Sequence, residues 1–240
     1  MTTRIAMWSG PRNISTAMMR SFGARTDTFV SDEPFYGAFL KTTGVQHPMA
    51  TEIIADMDCN WISVATTLAT DPPNGEAIWY QKHMTHHMTG PVQPDHLTGI
   101  RHAFLIRDPA RMIASYLAKR ELVAAEELGL KAQREFFDRE ADRLGHAPPV
   151  IDSGDVLRDP AGTLARLCTA LGIPWSGAML RWPAGRRATD GIWASHWYNR
   201  VEASTGFDAP EDRPVTLPAA ALPIFAECQP HYDHLRRFAL

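Results

Sequence analysis

A short segment near the amino terminus combines residue types that bind phosphate or sulfate. The apolar residues 5–8 precede the sequence SGPRNIST at positions 9–16, a pattern that predicts a strand, a tight turn and a helix start. A helix that begins directly after a strand leaves backbone N–H groups free to bind an anion. Arg12 adds a planar cation, and Ser15 and Thr16 add hydroxyl donors. We therefore expect an oxyanion site here, with an ordinary strand–turn–helix junction as the alternative.

This segment is similar to a P-loop but lacks the Walker A pattern. Gly10 is present, while the Gly-Lys pair of G-x-x-x-x-G-K-[ST] is missing. Because that lysine contacts the nucleotide phosphates, its absence argues against an ordinary ATP or GTP hydrolase.

A carboxylate follows the second predicted strand, residues 27–31. Open α/β sheets bind ligands at the carboxyl ends of their strands, so Glu33 is a candidate general base. The alternative is a solvated loop carboxylate.

The third predicted strand, residues 77–80, leads into the sequence QKHMTHH. Lys82 and His83 are predicted to be a cation and a base at the end of that strand. His83, His86 and His87 also raise the possibility of a metal site. Their spacing requires a helix, however, and no cysteine or acid nearby completes a ligand set. We therefore expect no metal here.

The fourth predicted strand, residues 103–106, ends at Arg107. Asp108 is predicted to cap the next helix, with Pro109 in its first position. Arg107 and Ser115, two turns into that helix, are spaced to bind one anion from two sides. The alternative for Arg107 is a surface ion pair with Asp108 or Asp32.

Residues 182–197 are rich in glycine, arginine and tryptophan. Such a segment is typical of a lid over a flat, charged ligand, because tryptophan stacks and arginine pairs with anions. The alternative is a loop that packs its aromatic side chains onto the sheet.

The elements that must position these side chains alternate along the chain. A fifth strand is predicted at 150–152, and helices at 15–22, 158–171 and 217–238, the last interrupted around Pro223 and Pro230. This alternation predicts an α/β fold of three layers, α/β/α, with a mostly parallel sheet. We expect one domain over residues 1–240.

Composition narrows the class of protein. The chain has 240 residues, 45% hydrophobic and 21% charged, as in ordinary globular proteins. A net charge of −3 argues against nucleic acid as the main partner. Three cysteines far apart in sequence favour reduced thiols. Since no signal segment and no apolar run of about 20 residues is evident, we expect a cytoplasmic protein that does not interact with membranes.

Three segments together resemble the nucleotide-dependent sulfotransferases, whose donor is 3′-phosphoadenosine-5′-phosphosulfate (PAPS). Residues 11–16, PRNIST, resemble that family's first loop, P-K-S-G-T-T, with arginine for lysine. Arg107 and Ser115 match its 3′-phosphate site, an arginine at a strand end with a serine eight residues on. Residues 186–193, RRATDGIW, loosely resemble its late loop, R-K-G-x-x-G-D-W. The resemblance covers residues 4 to about 193.

The resemblance implies a P-loop nucleotide-binding fold and sulfuryl transfer from PAPS to a hydroxyl or amine of a small-molecule acceptor, without a metal. It implies Glu33 as the base, with His83 as second choice, because some bacterial relatives use a glutamate after strand two. The catalytic residues implied are Glu33, His83, Arg12 and Lys82. The donor-binding residues implied are Arg12, Asn13, Ile14, Ser15, Thr16, Arg107, Ser115, Arg186 and Arg187.

Two other functions stay open at this point. One is a P-loop kinase-like phosphotransferase, with Asp108 as the magnesium ligand. The other is a nucleotide-binding module without catalysis. Departures from the family pattern at Ile14, Ala188 and Ile192 favour the second of these.

Overall fold

The sheet at the centre of the molecule has five parallel strands. A computed structural model describes residues 2–118, 124–210 and 213–240 of the chain. Its strands are β1 (Thr3–Ser9), β2 (Thr28–Asp32), β3 (Ile78–Met84), β4 (Arg101–Ile106) and β5 (Val150–Asp152). They lie in the order β2-β3-β1-β4-β5, and all neighbouring strands are parallel. The predicted α/β class with a parallel sheet is confirmed.

This strand order creates a crevice at the carboxyl edge of the sheet. From β1 the chain crosses towards β2, whereas from β4 it continues in the opposite direction to β5. The loops that follow β1 and β4 therefore diverge, and ligands of open α/β sheets bind at such a divergence. Arg12 and Arg107 lie in these two loops.

Helices connect the strands. They are α1 (Ser15–Gly23), α2 (Tyr36–Thr43), α3 (Ala50–Asp56), α4 (Trp61–Leu68), α5 (Pro109–Leu117), α6 (Leu130–Leu144), α7 (Ser153–Arg158), α8 (Pro160–Ala170), α9 (Ala194–Trp197), α10 (Asn199–Glu202) and α11 (Leu222–Arg236). Short 3₁₀ helices cover Thr85–His87, Pro94–His96, Ala125–Leu128, Gly177–Leu180 and Ala219–Ala221.

The two faces of the sheet are covered by different helices. On one face, Phe22 of α1 stacks on Tyr80 of β3, with ring centroids 4.2 Å apart. On the other face, Phe136 of α6 packs edge-on against Trp8 of β1 at 5.3 Å. Residues 5–9 of β1 are fully buried, as expected for a central strand with helices on both sides. The predicted three-layer arrangement follows from these contacts.

Local sequence explains where two helices begin. Asp108 accepts a hydrogen bond from the Arg111 N–H at 3.0 Å, and Pro109 takes the first position of α5, as predicted. Asp159 caps α8 in the same way through the Gly162 N–H at 2.9 Å. That cap divides the predicted helix 158–171, because Asp159 lies between α7 and α8.

Two other predictions about elements need correction. β3 continues to Met84, four residues beyond its predicted end, because it pairs with β1 and β2 along its length. α11 runs through Pro230 without interruption. Its packing against α5 and α6 offsets the hydrogen bond that proline cannot make. In the part of the chain that the structure describes, no helix has the length and apolarity needed to cross a bilayer.

Candidate functional site

A cavity of about 800 Å³ opens at the carboxyl edge of the sheet. The loop after β1 forms part of its wall, together with residues at the ends of β2, β3 and β4 and the segment 193–208. Among the predicted site residues, those that line it are Arg12, Asn13, Ile14, Ser15, Thr16, Glu33, Lys82, Arg107 and Ser115. The crevice that the topology creates is therefore the site where most of the predicted residues meet.

The loop after β1 has an unusual backbone for its sequence. Arg12 and Ile14 adopt positive φ angles of 63° and 55°. This conformation costs an L-residue about 1–2 kcal/mol and is rare for a β-branched side chain. Ile14 therefore has the backbone conformation that a glycine would adopt most easily. The loop has the shape that the P-K-S-G-T-T pattern implies, although the glycine itself is missing.

Two side-chain hydrogen bonds hold this loop in place. The Asn13 amide donates to the Leu105 carbonyl of β4 at 3.1 Å. The Ser153 hydroxyl, at the start of α7, donates to the Asn13 carbonyl at 3.2 Å. Both residues are fully or almost fully buried. These bonds fix the strained backbone to its neighbouring strands. Among the residues that the structure describes, no side chain caps the amino end of α1, so its first N–H groups have no side-chain acceptor there.

Two arginines and a serine converge beside this loop. The Arg12 Nε donates to the Ser115 hydroxyl at 3.0 Å, and an Arg107 Nη1 donates to the Arg12 carbonyl. Burial lowers the pKa of Arg12, and the nearby positive charges of Arg107 and Arg200 lower it further. Positive charge is thus concentrated here, and a bound anion would relieve the repulsion. We call Arg12, Arg107, Ser115 and the amino end of α1 the anion-binding end.

A buried polar cluster lies at the other side of the cavity, at the ends of β2 and β3. The Lys82 Nζ donates to Asp32 Oδ1 at 2.8 Å, to the Tyr198 hydroxyl at 2.7 Å and to Glu33 Oε1. The Tyr198 hydroxyl in turn donates to Asp32 at 2.8–2.9 Å. We call these four residues, Asp32, Glu33, Lys82 and Tyr198, the base-end cluster.

The net effect of burial and of the charges inside the base-end cluster is to raise the pKa of both Glu33 and Lys82. Burial raises the pKa of Glu33 and the Asp32 carboxylate raises it further, although Lys82 acts against both. For Lys82, burial alone would lower the pKa, but Asp32 and Glu33 outweigh it and hold the pKa well above its usual value. A buried carboxylate of raised pKa, held by a permanently charged lysine, is suited to accept a proton.

The structure does not bring His83 to the cavity. Side chains alternate along a strand, so His83 faces away from Lys82. Its ring is buried and stacks on Trp8 at 4.4 Å, and its Nε2 lies 3.2 Å from the Gln81 amide oxygen. Burial lowers its pKa to about 3. The prediction that His83 is a base assumed a strand that ends before it, and the geometry does not support that role.

The other two histidines of this segment do line the cavity. His87 stacks between Tyr36 and Phe39, with both centroid distances 4.6 Å, and its Nδ1 lies 3.8 Å from Glu33 Oε2. Burial lowers the pKa of His87 well below its usual value, so the ring is neutral. Within residues 2–118, 124–210 and 213–240, no three histidine, cysteine or acidic side chains are grouped to bind a metal ion.

The segment 182–197 contains residues that anchor it to the rest of the protein and residues that line the cavity. Arg186 is exposed, and Arg187 donates to the carbonyls of residues 183, 185 and 186. Neither lines the cavity. Asp190 forms a buried two-point ion pair with Arg20 of α1, with one contact of 2.7 Å, which holds the loop against the sheet. The loop therefore does not bring the two arginines to the site, whereas Trp193 and Trp197 line it.

Three residues of the site were missed from the sequence. Asp32 was considered only as a partner of Arg107, but it pairs with Lys82. Tyr198 and Arg200 follow the late loop and have no motif around them. Arg200 lies at the rim, 77% exposed, with its Nη2 3.0 Å from Asp208 Oδ2. Only the fold identifies these residues, because their partners are distant in sequence.

Known proteins resemble this chain over nearly its whole length. The family model described as "Sulfotransferase domain" matches residues 3–237. Two Arabidopsis thaliana proteins, named branched-chain-amino-acid aminotransferase-like proteins 2 and 1, are each 35% identical over 232 residues. These matches cover 97% of this chain but only 41% of each relative, so the chain spans about two fifths of their length.

Solved structures share the fold. A sulfotransferase from Alicyclobacillus acidocaldarius superposes with a TM-score of 0.57 at 12% identity, covering 99% of this chain and 95% of the other. The sulfotransferase domain of the Synechococcus PCC 7002 olefin synthase gives 0.52 at 16% identity, with coverage of 97% and 96%. The sulfotransferase domain from the curacin biosynthetic pathway gives 0.51 at 15% identity, with coverage of 95% and 98%.

Proposed function

The chain belongs to the sulfotransferase domain family, and we propose that it transfers a sulfuryl group from PAPS to a hydroxyl or amine of a small-molecule acceptor. The observation that supports this most directly is a single cavity that contains both the anion-binding end and Glu33. Its volume of about 800 Å³ is large enough for a nucleotide with a small acceptor beside it.

The donor has two anionic groups, and the anion-binding end offers partners for both. In this proposal the first N–H groups of α1 and the Arg12 guanidinium bind the 5′-phosphosulfate. Arg107 and Ser115 bind the 3′-phosphate, as the family resemblance implies. The Arg12 guanidinium contacts no carboxylate among the described residues, so its charge is available to an external anion.

Glu33 is placed to serve the acceptor. β2 and β1 are separated by β3, so their ends lie about 10 Å apart, enough for an acceptor between the base and the donor. Glu33 removes the acceptor proton as the new O–S or N–S bond forms. The bond between sulfur and the bridging oxygen breaks, and the negative charge that develops on the leaving phosphate is stabilised by Arg12 and the loop N–H groups.

The kinase-like alternative receives less support. It requires Asp108 as a magnesium ligand, but that carboxylate caps α5 and does not line the cavity. A nucleotide-binding module without catalysis differs from our proposal only in turnover, so an activity measurement separates the two.

The deciding experiment is a calorimetric titration with 3′-phosphoadenosine-5′-phosphate, the spent donor, without magnesium. The control ligand is the same nucleotide without its 3′-phosphate. We expect micromolar binding that is lost with the control ligand, followed by PAPS-dependent turnover in an acceptor screen. Equal weak binding of both ligands, or binding of ATP only with magnesium, would contradict the proposal. Donor binding without turnover on any acceptor would favour the non-catalytic module.

A further inference from the structure

Lys82 has three ammonium protons, and the base-end cluster uses all of them. They go to Asp32 Oδ1, to the Tyr198 hydroxyl and to Glu33 Oε1. The ammonium group is only 1% exposed. Lys82 therefore has no remaining proton to donate to a phosphate or sulfate in the cavity.

Asp32 is saturated in the same way. Its two oxygens accept hydrogen bonds from Lys82, from the Tyr198 hydroxyl and from the Gly191 N–H at 3.2 Å. The Tyr198 hydroxyl also accepts from the Trp193 indole N–H at 3.3 Å. Asp32 and Tyr198 thus hold each other and Lys82.

Glu33 Oε2 differs from every other carboxylate oxygen of the cluster. It accepts no hydrogen bond from any described residue, and His87 Nδ1 lies 3.8 Å from it. Glu33 lines the cavity and its side chain is 12% exposed. It is therefore the one carboxylate oxygen that the base-end cluster offers to an acceptor.

We propose that Asp32 and Tyr198 are positioning residues of the transfer reaction, which hold Lys82 so that it orients Glu33 instead of binding the donor. This inference rests on the proposed function, with Glu33 as the base. It assigns no contact with substrate to Asp32, Tyr198 or Lys82.

The charges of Asp32 and Lys82 have opposite effects on the pKa of Glu33. With Lys82 as its only ionised neighbour, Glu33 would be a weak base, because the lysine charge stabilises the carboxylate. The Asp32 carboxylate opposes that effect and raises the pKa of Glu33. The titratable groups around Glu33 are Asp32 on β2, Lys82 on β3, His87 after β3 and Tyr198 after α9.

Two substitutions with opposite expected effects on the pKa of Glu33 test this inference without an activity assay. The pKa of Glu33 is measured by carbon-detected NMR of protein that is ¹³C-labelled in its glutamate carboxyl groups. The Glu33 signal is the one that disappears in the Glu33→Gln variant. We expect Asp32→Asn to lower the pKa of Glu33 and Lys82→Met to raise it. If Lys82→Met does not fold, the double variant D32N/K82M replaces it. We then expect the pKa of Glu33 to be higher in D32N/K82M than in D32N. Asp152→Asn is the matched control, a buried aspartate at the end of β5 that accepts from Tyr232 and lies outside the cavity.

Turnover supplies the second readout. We expect Tyr198→Phe to lower kcat about tenfold with unchanged affinity for 3′-phosphoadenosine-5′-phosphate, because the base is displaced and the anion-binding end is not. We expect Asp32→Asn to move the acid limb of the kcat profile to lower pH. Tyr232→Phe, which removes an equivalent Tyr–Asp hydrogen bond outside the cavity, should change neither.

The outcomes separate the two proposals. Loss of donor affinity in Lys82→Met or Tyr198→Phe would show that Lys82 serves the donor, and would overturn the inference. An unchanged Glu33 titration in Asp32→Asn would overturn it as well. If the unaltered protein fails to bind the donor nucleotide, the proposed function fails, whereas the NMR titrations still decide whether Asp32 and Lys82 set the proton affinity of Glu33.

Discussion

The two ends of the cavity handle positive charge in opposite ways. At the anion-binding end, Arg12 donates to a neutral hydroxyl and lies close enough to two other arginines to lower its pKa. At the base-end cluster, Lys82 is enclosed by two carboxylates. The first end would gain stability if an external anion bound there, whereas the charges of the second are already paired. A cation near a ligand site is thus no guide to ligand binding until its partners are known.

We expect the largest loss of activity from a substitution in the base-end cluster. Glu33→Gln keeps the size and the hydrogen bond from Lys82 but removes the proton acceptor, so we expect kcat to fall about 10²- to 10⁴-fold. Affinity for 3′-phosphoadenosine-5′-phosphate, measured by calorimetry, should stay unchanged. Full turnover in this variant would show that the base lies elsewhere.

The second effect concerns the anion-binding end. Arg107→Ala removes a charged hydrogen-bond donor, an effect of about 2–3 kcal/mol, so we expect the donor nucleotide to bind roughly 30- to 150-fold more weakly. A ligand without the 3′-phosphate should bind both proteins equally. If donor affinity does not change, Arg107 does not bind the 3′-phosphate.

Two buried histidines link pH to stability instead of to catalysis. Burial lowers the pKa of His83 to about 3 and that of His102 to about 4, whereas in the unfolded chain both titrate near 6.5. Below that pH the unfolded state binds protons that the folded state does not. Stability is therefore complete above about pH 6.5 and is lost as the pH falls towards 4.

Denaturant unfolding at several pH values measures this effect. Between pH 6 and pH 5 we expect the free energy of unfolding to fall by about 1 kcal/mol for each histidine. His83→Phe retains a ring to stack on Trp8 and should remove the contribution of one histidine, about 1 kcal/mol, while keeping turnover. A large loss of kcat in that variant would restore His83 as a catalytic candidate.

The smallest expected effect concerns the late loop. Arg186→Ala and Arg187→Ala should change donor affinity less than about twofold, because surface substitutions outside a site usually contribute under 0.5 kcal/mol. Arg107→Ala is the matched comparison in the same assay. A tenfold loss in either late-loop variant would show that the loop closes over the bound donor.

Sequence reasoning predicted the position of a residue correctly where that position depends on a few neighbouring residues. Arg12 follows β1 directly, and the eight-residue spacing from Arg107 places Ser115 on the first turns of a capped helix. The structure does not bring His83 to the cavity, because β3 extends four residues beyond its predicted end and alternation within the strand places His83 on the face opposite to Lys82.

The base-end cluster could be predicted only in part. Glu33 and Lys82 each follow or end a predicted strand, so they were identified. The hydrogen bond from Lys82 to Tyr198 joins residues 116 positions apart, and no local pattern encodes such a contact. Arg186 and Arg187 do not line the cavity, and a loose motif match does not determine where a loop's side chains point.

The buried pair between Arg20 and Asp190 has a consequence for how the protein is made. Arg20 leaves the ribosome 170 residues before Asp190. Until then the guanidinium lacks its carboxylate, and Asp32 lacks the hydroxyl of Tyr198. A nascent chain can pair its strands early, but it can complete the base-end cluster only after Tyr198 has been synthesised. Ribosome-bound fragments that stop before residue 190 should therefore be protease-sensitive around α1 and inactive.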